Sequence, residues 1–211
     1  MEFELRFSRP DEIEEESFRI IREELGQTPF NQDELSVVIR VVHATGDVSI
    51  ASQMKFHPKA IQAGIEAVRA GKDVLTDVNM VAAGIDKTRL SRFGGRVMCL
   101  IADPGAAKKA QEEGRTRADA AIEIGIDQND IGIIAIGNAP TALLSAVKYI
   151  DRNGCNSLLV GTPVGFVNAA ESKELLSSRP YPFITILGRK GGSPAAAAIV
   201  NALLRLAECK A

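Results

Sequence analysis

The chain has 211 residues, 45% of them hydrophobic and 25% charged. That is enough to bury a real core and fits one domain, or two at most. The 25 Lys and Arg against 27 Asp and Glu leave a formal net charge of −2, so no broad electrostatic footprint for duplex nucleic acid is expected. Eight Phe, two Tyr and no Trp would poorly supply a base-stacking platform. No run of about 18 apolar residues reads as a membrane span, and Met1-Glu2-Phe3-Glu4-Leu5-Arg6 lacks the apolar core of a signal peptide. Cys99, Cys155 and Cys209 form no CxxC and no Cys/His zinc pattern, and read as reduced thiols of a cytoplasmic protein.

Ser8-Arg9-Pro10-Asp11 opens a first helix, with Ser8 as cap, Pro in the first turn and acids at the positive dipole end. Ile13, Phe18, Ile20, Ile21 and Leu25 suit one inward face, and Gly26 ends the helix. Ser17 falls on the same side, either as a small packing residue or as a hydroxyl lining a site. Residues 33–44 carry β-branched runs, yet Leu35, Val38, Ile39 and Val42 follow helical spacing, and an amphipathic helix is expected. On that helix Arg40 and His43 share a face.

A helix over about 58–70 stops at Gly71. Strands follow at 73–77 and 97–101, then helices at about 104–113 and 116–127. A strand over 131–136 precedes a helix from Pro140 to Arg152. A strand over 157–160 precedes a helix at about 168–177, and a strand over 183–187 precedes a last helix from Ser193 to Leu206. Short apolar strands separated by helices predict an α/β fold: a single three-layer domain over 1–211, with a mainly parallel sheet of about five strands covered by helices on both faces.

Ligands of such sheets bind beyond the carboxyl ends of the strands. There the sequence places Gly137-Asn138-Ala139-Pro140-Thr141, Gly161-Thr162-Pro163-Val164-Gly165-Phe166 and Gly188-Arg189-Lys190-Gly191-Gly192-Ser193. Each precedes a helix start whose backbone N–H groups could accept an anion, and each alone also reads as a tight turn. No loop matches G-x-G-x-x-G or G-x-x-x-x-G-K-[ST]. Only two histidines occur, His43 and His57. His57, ahead of Pro58, reads as surface; His43 is the inward candidate. No nucleophile elbow supports acyl transfer, and His43, Asp47 and His57 match no metal-ligand spacing. Arg40, Arg115, Arg117, Arg189 and Lys190 fall near candidate loops or inward helices, with solvated surface charge as the bland reading.

Five segments together resemble the precorrin-8X methylmutase family. They are Arg40-Val41-Val42-His43-Ala44-Thr45, Thr76-Asp77-Val78-Asn79-Met80-Val81 with Gly84-Ile85, Gly137 to Leu143, Pro163 to Val167, and Gly188 to Ser193. Ser52 to His57 matches only loosely. The resemblance implies a methyl shift from C-11 to C-12 of a corrin macrocycle, giving hydrogenobyrinate or, with cobalt present, cobyrinate. It also implies a homodimer, a tetrapyrrole (corrinoid) substrate and no dissociable cofactor or metal site. His43 matches the proton-handling position. Ser17 and Arg40 match positions associated with substrate, and Thr76, Arg117, Asn138, Arg189, Lys190, Gly191 and Gly192 are the further binding candidates. Two other classes stay open at this stage: a corrinoid carrier without turnover, and an unrelated nucleotide-using α/β enzyme.

Overall fold

In the computed structural model, which describes residues 9–154 and 156–209, helices and short strands alternate along the chain. In order these are α1 (Pro10–Leu25), α2 (Gln32–Thr45), a 3₁₀ stretch (Val48–Gln53), β1 (Met54–Phe56), α3 (Ala60–Arg69), β2 (Asp73–Thr76), α4 (Asn79–Gly84), α5 (Lys87–Arg92) and β3 (Val97–Cys99). Then come α6 (Pro104–Glu112), α7 (Arg117–Gln128), β4 (Ile131–Ile136), α8 (Pro140–Asn153), β5 (Leu158–Gly161), α9 (Ala169–Ser177), β6 (Phe183–Ile186) and α10 (Ser193–Cys209).

Among the described residues the sheet has six strands in the order β1-β6-β5-β4-β2-β3. All neighbours are parallel except β1, which pairs antiparallel with β6. The α/β class and the parallel core match the expectation from sequence, but β1 adds a sixth strand. Its three residues are too few to show an alternation, so nothing in Met54-Lys55-Phe56 marks a strand. The short helices α4 and α5 likewise add to the elements that the sequence predicts.

Alternate residues of each strand feed two cores. Val74, Ile133, Ala135, Leu158, Val160 and Ile184 pack with α2, α3 and α10 on one face. Leu75, Ile134, Ile136, Leu159 and Phe183 pack with α7, α8 and α9 on the other. Every residue of β4 is buried, as a strand covered on both faces requires.

α2 resolves the ambiguous β-branched run. Asn31 accepts the N–H groups of Asp33 and Glu34, and Glu34 returns to the Asn31 amide, forming a reciprocal N-terminal cap. At the other end Gly46 takes the left-handed conformation (φ 64) and its N–H reaches the Val42 carbonyl. Such caps contribute about 1 kcal/mol each, enough with burial of Val37, Val38, Ile39, Val41 and Val42 to outweigh a modest β preference. α10 packs along this helix.

α1 departs from its expected face. Ile21 is buried and Phe18 and Leu25 are partly so, but Ile13 and Ile20 are 46% and 41% exposed. They lie about a quarter-turn round the helix from Ile21, because the apolar set is wider than the strip α2 can cover. Ser8, the expected cap, lies outside the described residues, as does Cys155; the capping position is Arg9, which makes no side-chain cap bond. Among the described residues no helix is long and apolar enough to cross a membrane.

Candidate functional site

The carboxyl edge of the sheet gathers the α2 end, the α10 start and the loops after β2, β4, β5 and β6. An open cleft of about 380 Å³ lies there, lined by Arg40, His43 and Ala44 of α2, Gly84, and Pro194, Ala197, Ala198 and Asn201 of α10. Arg40 continues into a second recess of about 300 Å³, toward Ser36 and Arg205. Other grooves of about 410 and 600 Å³ lie between α7 and α8 and beside β1; neither contains His43.

His43 is exposed, not inward as its apolar neighbours suggest. Its ring stands edge-on to Phe18 of α1, centroids 5.3 Å apart at 87°. The Arg40 guanidinium lies over the same Phe18 ring, 4.9 Å from its centroid. Phe18 thus holds two neighbouring site groups through one aromatic face and edge. Arg40 Nη1 donates to Glu14 Oε1 at 3.2 Å, and Arg205 Nη2 lies 3.7 Å from that oxygen. Burial opposes ionisation of Glu14, but the hydrogen bond and charge of Arg40, with the charges of Arg205 and His43, outweigh it and hold the carboxyl below its ordinary pKa. Burial pulls Arg40 the other way, below its ordinary value, though a guanidinium stays charged at any physiological pH. Glu14, Phe18 and Arg205 had no motif to announce them; their role comes from α1 and α10 flanking α2.

His57 also departs from its expected surface position. It is half-buried, its Nδ1 accepts the Lys59 N–H at 3.2 Å, and its ring packs against Phe183. A histidine one step before a proline at a helix start is well placed to cap that turn. Among the described residues no group of three or more His, Cys, Asp or Glu is placed to hold a metal ion.

The loops behave differently from free anion-binding turns. Asp77 is completely buried, and its carboxylate accepts the N–H groups of Gly137 (3.1 Å), Asn138 (2.8 Å) and Ala139 (2.7 Å). The turn into α8 therefore already holds an anion, an internal one. Burial raises the Asp77 pKa, with those three bonds pulling against it. In the last loop Gly192 N–H donates to the Thr162 carbonyl at 2.7 Å. Gly191 passes so close that a Cβ would lie 2.3 Å from that oxygen, at φ 144, so only glycine fits. Lys190 Nζ reaches Asp47 (2.6 Å) and Ser49 (2.7 Å), tying the loop to the corner after α2. That tether holds Asp47 below its ordinary pKa. The Lys190 carbonyl accepts from Lys173 Nζ at 2.6 Å. Lys173 is fully buried, and burial pushes its pKa down to about 8.

The remaining sequence candidates divide. Ser17 is half-buried on α1 and donates to the Ile13 carbonyl at 2.7 Å. Thr76 is buried and donates to Met98 O at 3.1 Å, so its hydroxyl serves the sheet and not a cleft. Asn138 is exposed at the α8 turn. Arg189 is exposed over the ring of Phe166, 5.2 Å from its centroid. Arg117 is exposed at the start of α7, on the layer opposite α2, and does not line the His43 cleft. Arg115 pairs with Glu113, Asp119 and Glu123, the network of a structural cation. An apolar fringe completes the edge: Met80 is 70% exposed, Phe166 82% and Val167 77%.

A family model described as precorrin-8X methylmutase matches residues 12–206. The chain belongs to that family. It is similar to the cobalt-precorrin-8 methylmutase of Priestia megaterium, 44% identical over 99% of this chain and 95% of the relative. It is also similar to the precorrin-8X methylmutase of Pseudomonas aeruginosa, 40% identical over 90% of this chain and 93% of the relative. The solved precorrin-8X methylmutase of Thermus thermophilus superposes with a TM-score of 0.87 at 40% identity, covering 95% of this chain and 97% of that one. Methylmutases are isomerases, so the enzyme class expected from the sequence stands with the family and the fold. The precorrin-8X methylmutase fold thus presents one face of α2, carrying Arg40 and His43, to an open cleft.

Proposed function

We propose that this chain moves a methyl group from C-11 to C-12 of a precorrin-8 macrocycle, with or without cobalt in the ring, and that His43 delivers and recovers the proton. The observation that carries the reading is the Arg40–His43 face opening on a cleft, in a chain whose family relatives are methylmutases. Methyl migration around a conjugated ring needs no nucleophile. It needs the macrocycle protonated at one position, so that the π system can rearrange, and then relieved of that proton. Imidazole both donates and accepts near neutral pH. Among the described residues no hydrogen bond engages the ring nitrogens of His43, which leaves them to the ligand. Arg40, one turn away, suits a carboxylate arm of the ring. Ala44, Ala197 and Ala198 give the cleft low aliphatic walls against which a flat ring can lie. Ser17, Asn138, Arg189 and Lys190, with the backbone at Gly191 and Gly192, are the further contacts we assign to the substrate.

A homodimer is part of the same proposal. The cleft in one chain, about 380 Å³, is at the small end of ligand pockets, which run from about 300 to 1,000 Å³. Arg117 stands on the opposite layer with its guanidinium exposed, and Met80, Phe166 and Val167 lack cover. A second copy on this edge would complete the walls and bring such groups to bear. The test is incubation with precorrin-8 or its cobalt form while the visible spectrum is recorded. Multiple turnovers to the corrinoid product support the reading; stoichiometric binding without conversion would leave only a carrier.

A further inference from the structure

Two guanidinium groups share one carboxylate oxygen beside the His43 cleft. Glu14 Oε1 accepts from Arg40 Nη1 at 3.2 Å and lies 3.7 Å from Arg205 Nη2, beyond hydrogen-bond length. One oxygen serving two cations is a loose arrangement, since arginine holds carboxylate best through two parallel bonds. The charge is also unbalanced: two cations meet one anion. Arg89, the next cation to bear on Arg40, is already occupied with Glu208 at 3.1 Å.

The setting is a trough and not a closed ion pair. Arg40 lines both recesses along α2, and Arg205 lines the second with Ser36, Ala202, Leu206 and Glu208, whose carboxylate is held by Arg89 and Arg92. The stripe Pro194, Ala197, Ala198, Asn201 and Arg205 runs down one face of α10, at helical spacing. The anion between the arginines comes from α1, a helix with a single buried residue, Ile21. The Arg40 side chain is only 19% exposed, whereas those of Glu14 and Arg205 are 36% and 42% exposed. Glu14 can leave toward water while Arg40 stays fixed over Phe18.

We propose that Arg40 and Arg205 form a carboxylate-binding subsite, and that Glu14 is an internal stand-in which a carboxylate arm of the ligand displaces. The ligand class rests on the function proposed above. Arg205 then contacts substrate, although no sequence motif marks it. Glu14 keeps the two cations from repelling when the site is empty and weakens apparent affinity by the fraction of time it occupies them. A neutral amide arm cannot compete for the pair in this way.

Equilibrium dialysis with two coloured corrinoids tests this, one with free carboxylate arms and one with its arms as primary amides. Arg205→Ala should weaken the acid form about tenfold and leave the amide form within about twofold. Arg205→Lys keeps the charge but loses the fork, and should fall between. Glu14→Gln should bind the acid form about threefold more tightly. Thermal melts confirm that each variant is folded, and wild-type methyl migration is assayed beside them. Unchanged binding of the acid form by Arg205→Ala, or weaker binding by Glu14→Gln, overturns the subsite. If wild type turns over while both variants bind as wild type does, the subsite alone falls. If wild type binds neither corrinoid, the functional reading falls and the subsite with it.

Discussion

His43 stands edge-on to Phe18, ring centroids 5.3 Å apart. The contact packs the imidazole from one side, and among the described residues no hydrogen bond engages either ring nitrogen. Replacing His43 with Asn or Ala removes the titrating group at an exposed helical position, so the fold should hold. Turnover should fall by about 10²–10⁴-fold, the usual worth of general acid–base help, while corrinoid binding is largely kept. Single-turnover absorbance traces read the first quantity and dialysis the second. A His43 variant turning over at near wild-type rate would remove the histidine from the mechanism.

His57 gives a contrasting prediction. Its Nδ1 caps the turn at Lys59 and its ring packs on Phe183. His57→Ala should therefore lower stability by about 0.5–2 kcal/mol, the range for lost caps, and leave turnover intact. Urea unfolding and the spectral assay together distinguish this from a catalytic role.

Asp77 fills the N–H cluster of Gly137, Asn138 and Ala139. Asp77→Ala leaves three amides without their acceptor, at about 1–3 kcal/mol for each buried donor that finds no water. We expect a loss of at least about 2 kcal/mol in urea unfolding, with faster hydrogen exchange at Asn138 and Ala139. Unchanged exchange there would contradict the accounting.

Lys173 predicts a pH dependence. Its pKa falls from 10.5 to about 8 on folding, because burial penalises the ammonium. Below pH 8 both folded and unfolded chains bear the proton, and the full penalty is present. Between about 8 and 10.5 the unfolded chain binds more protons than the folded one, so this group adds stability as pH rises. Lys173→Met should remove that increment and also release the Lys190 carbonyl. Comparing urea midpoints of wild type and variant at pH 7 and 9.5 checks the sign. A wild-type advantage that shrinks at the higher pH would contradict it.

The sequence showed the chemistry-bearing helix better than its surroundings. Asn31, Glu34 and Gly46 bracket α2 through local bonds, so Arg40 and His43 fall on one face by spacing alone. Strands buried on both sides, such as Ile131–Ile136, announce themselves as apolar runs. Exposure of His43 was not legible, because it depends on how far α1 and α10 reach across α2. The same is true of Glu14 and Arg205, which meet Arg40 only after distant segments pack. Asp77 illustrates the limit on loops. Gly137-Asn138-Ala139 has the look of an anion cradle, and it is one, but the anion comes from sixty residues upstream within the chain. Thr76 carried a motif position while its hydroxyl was committed to Met98.

The pairing of α2 with α10 has a consequence for how the protein is made. α2 leaves the ribosome early, and the helix that walls its cleft follows about 150 residues later. At about 5–20 residues per second, roughly 7–30 s pass before residues 193–209 can cover Val38 and Val42. Throughout that interval the nascent chain carries His43 on a helix with an unshielded apolar flank. A chain cut short before α10 would lack one wall of the cleft and the Arg205 guanidinium. Termination before α10 therefore leaves the Val38 and Val42 flank of α2 without its cover as well as the cleft without its wall.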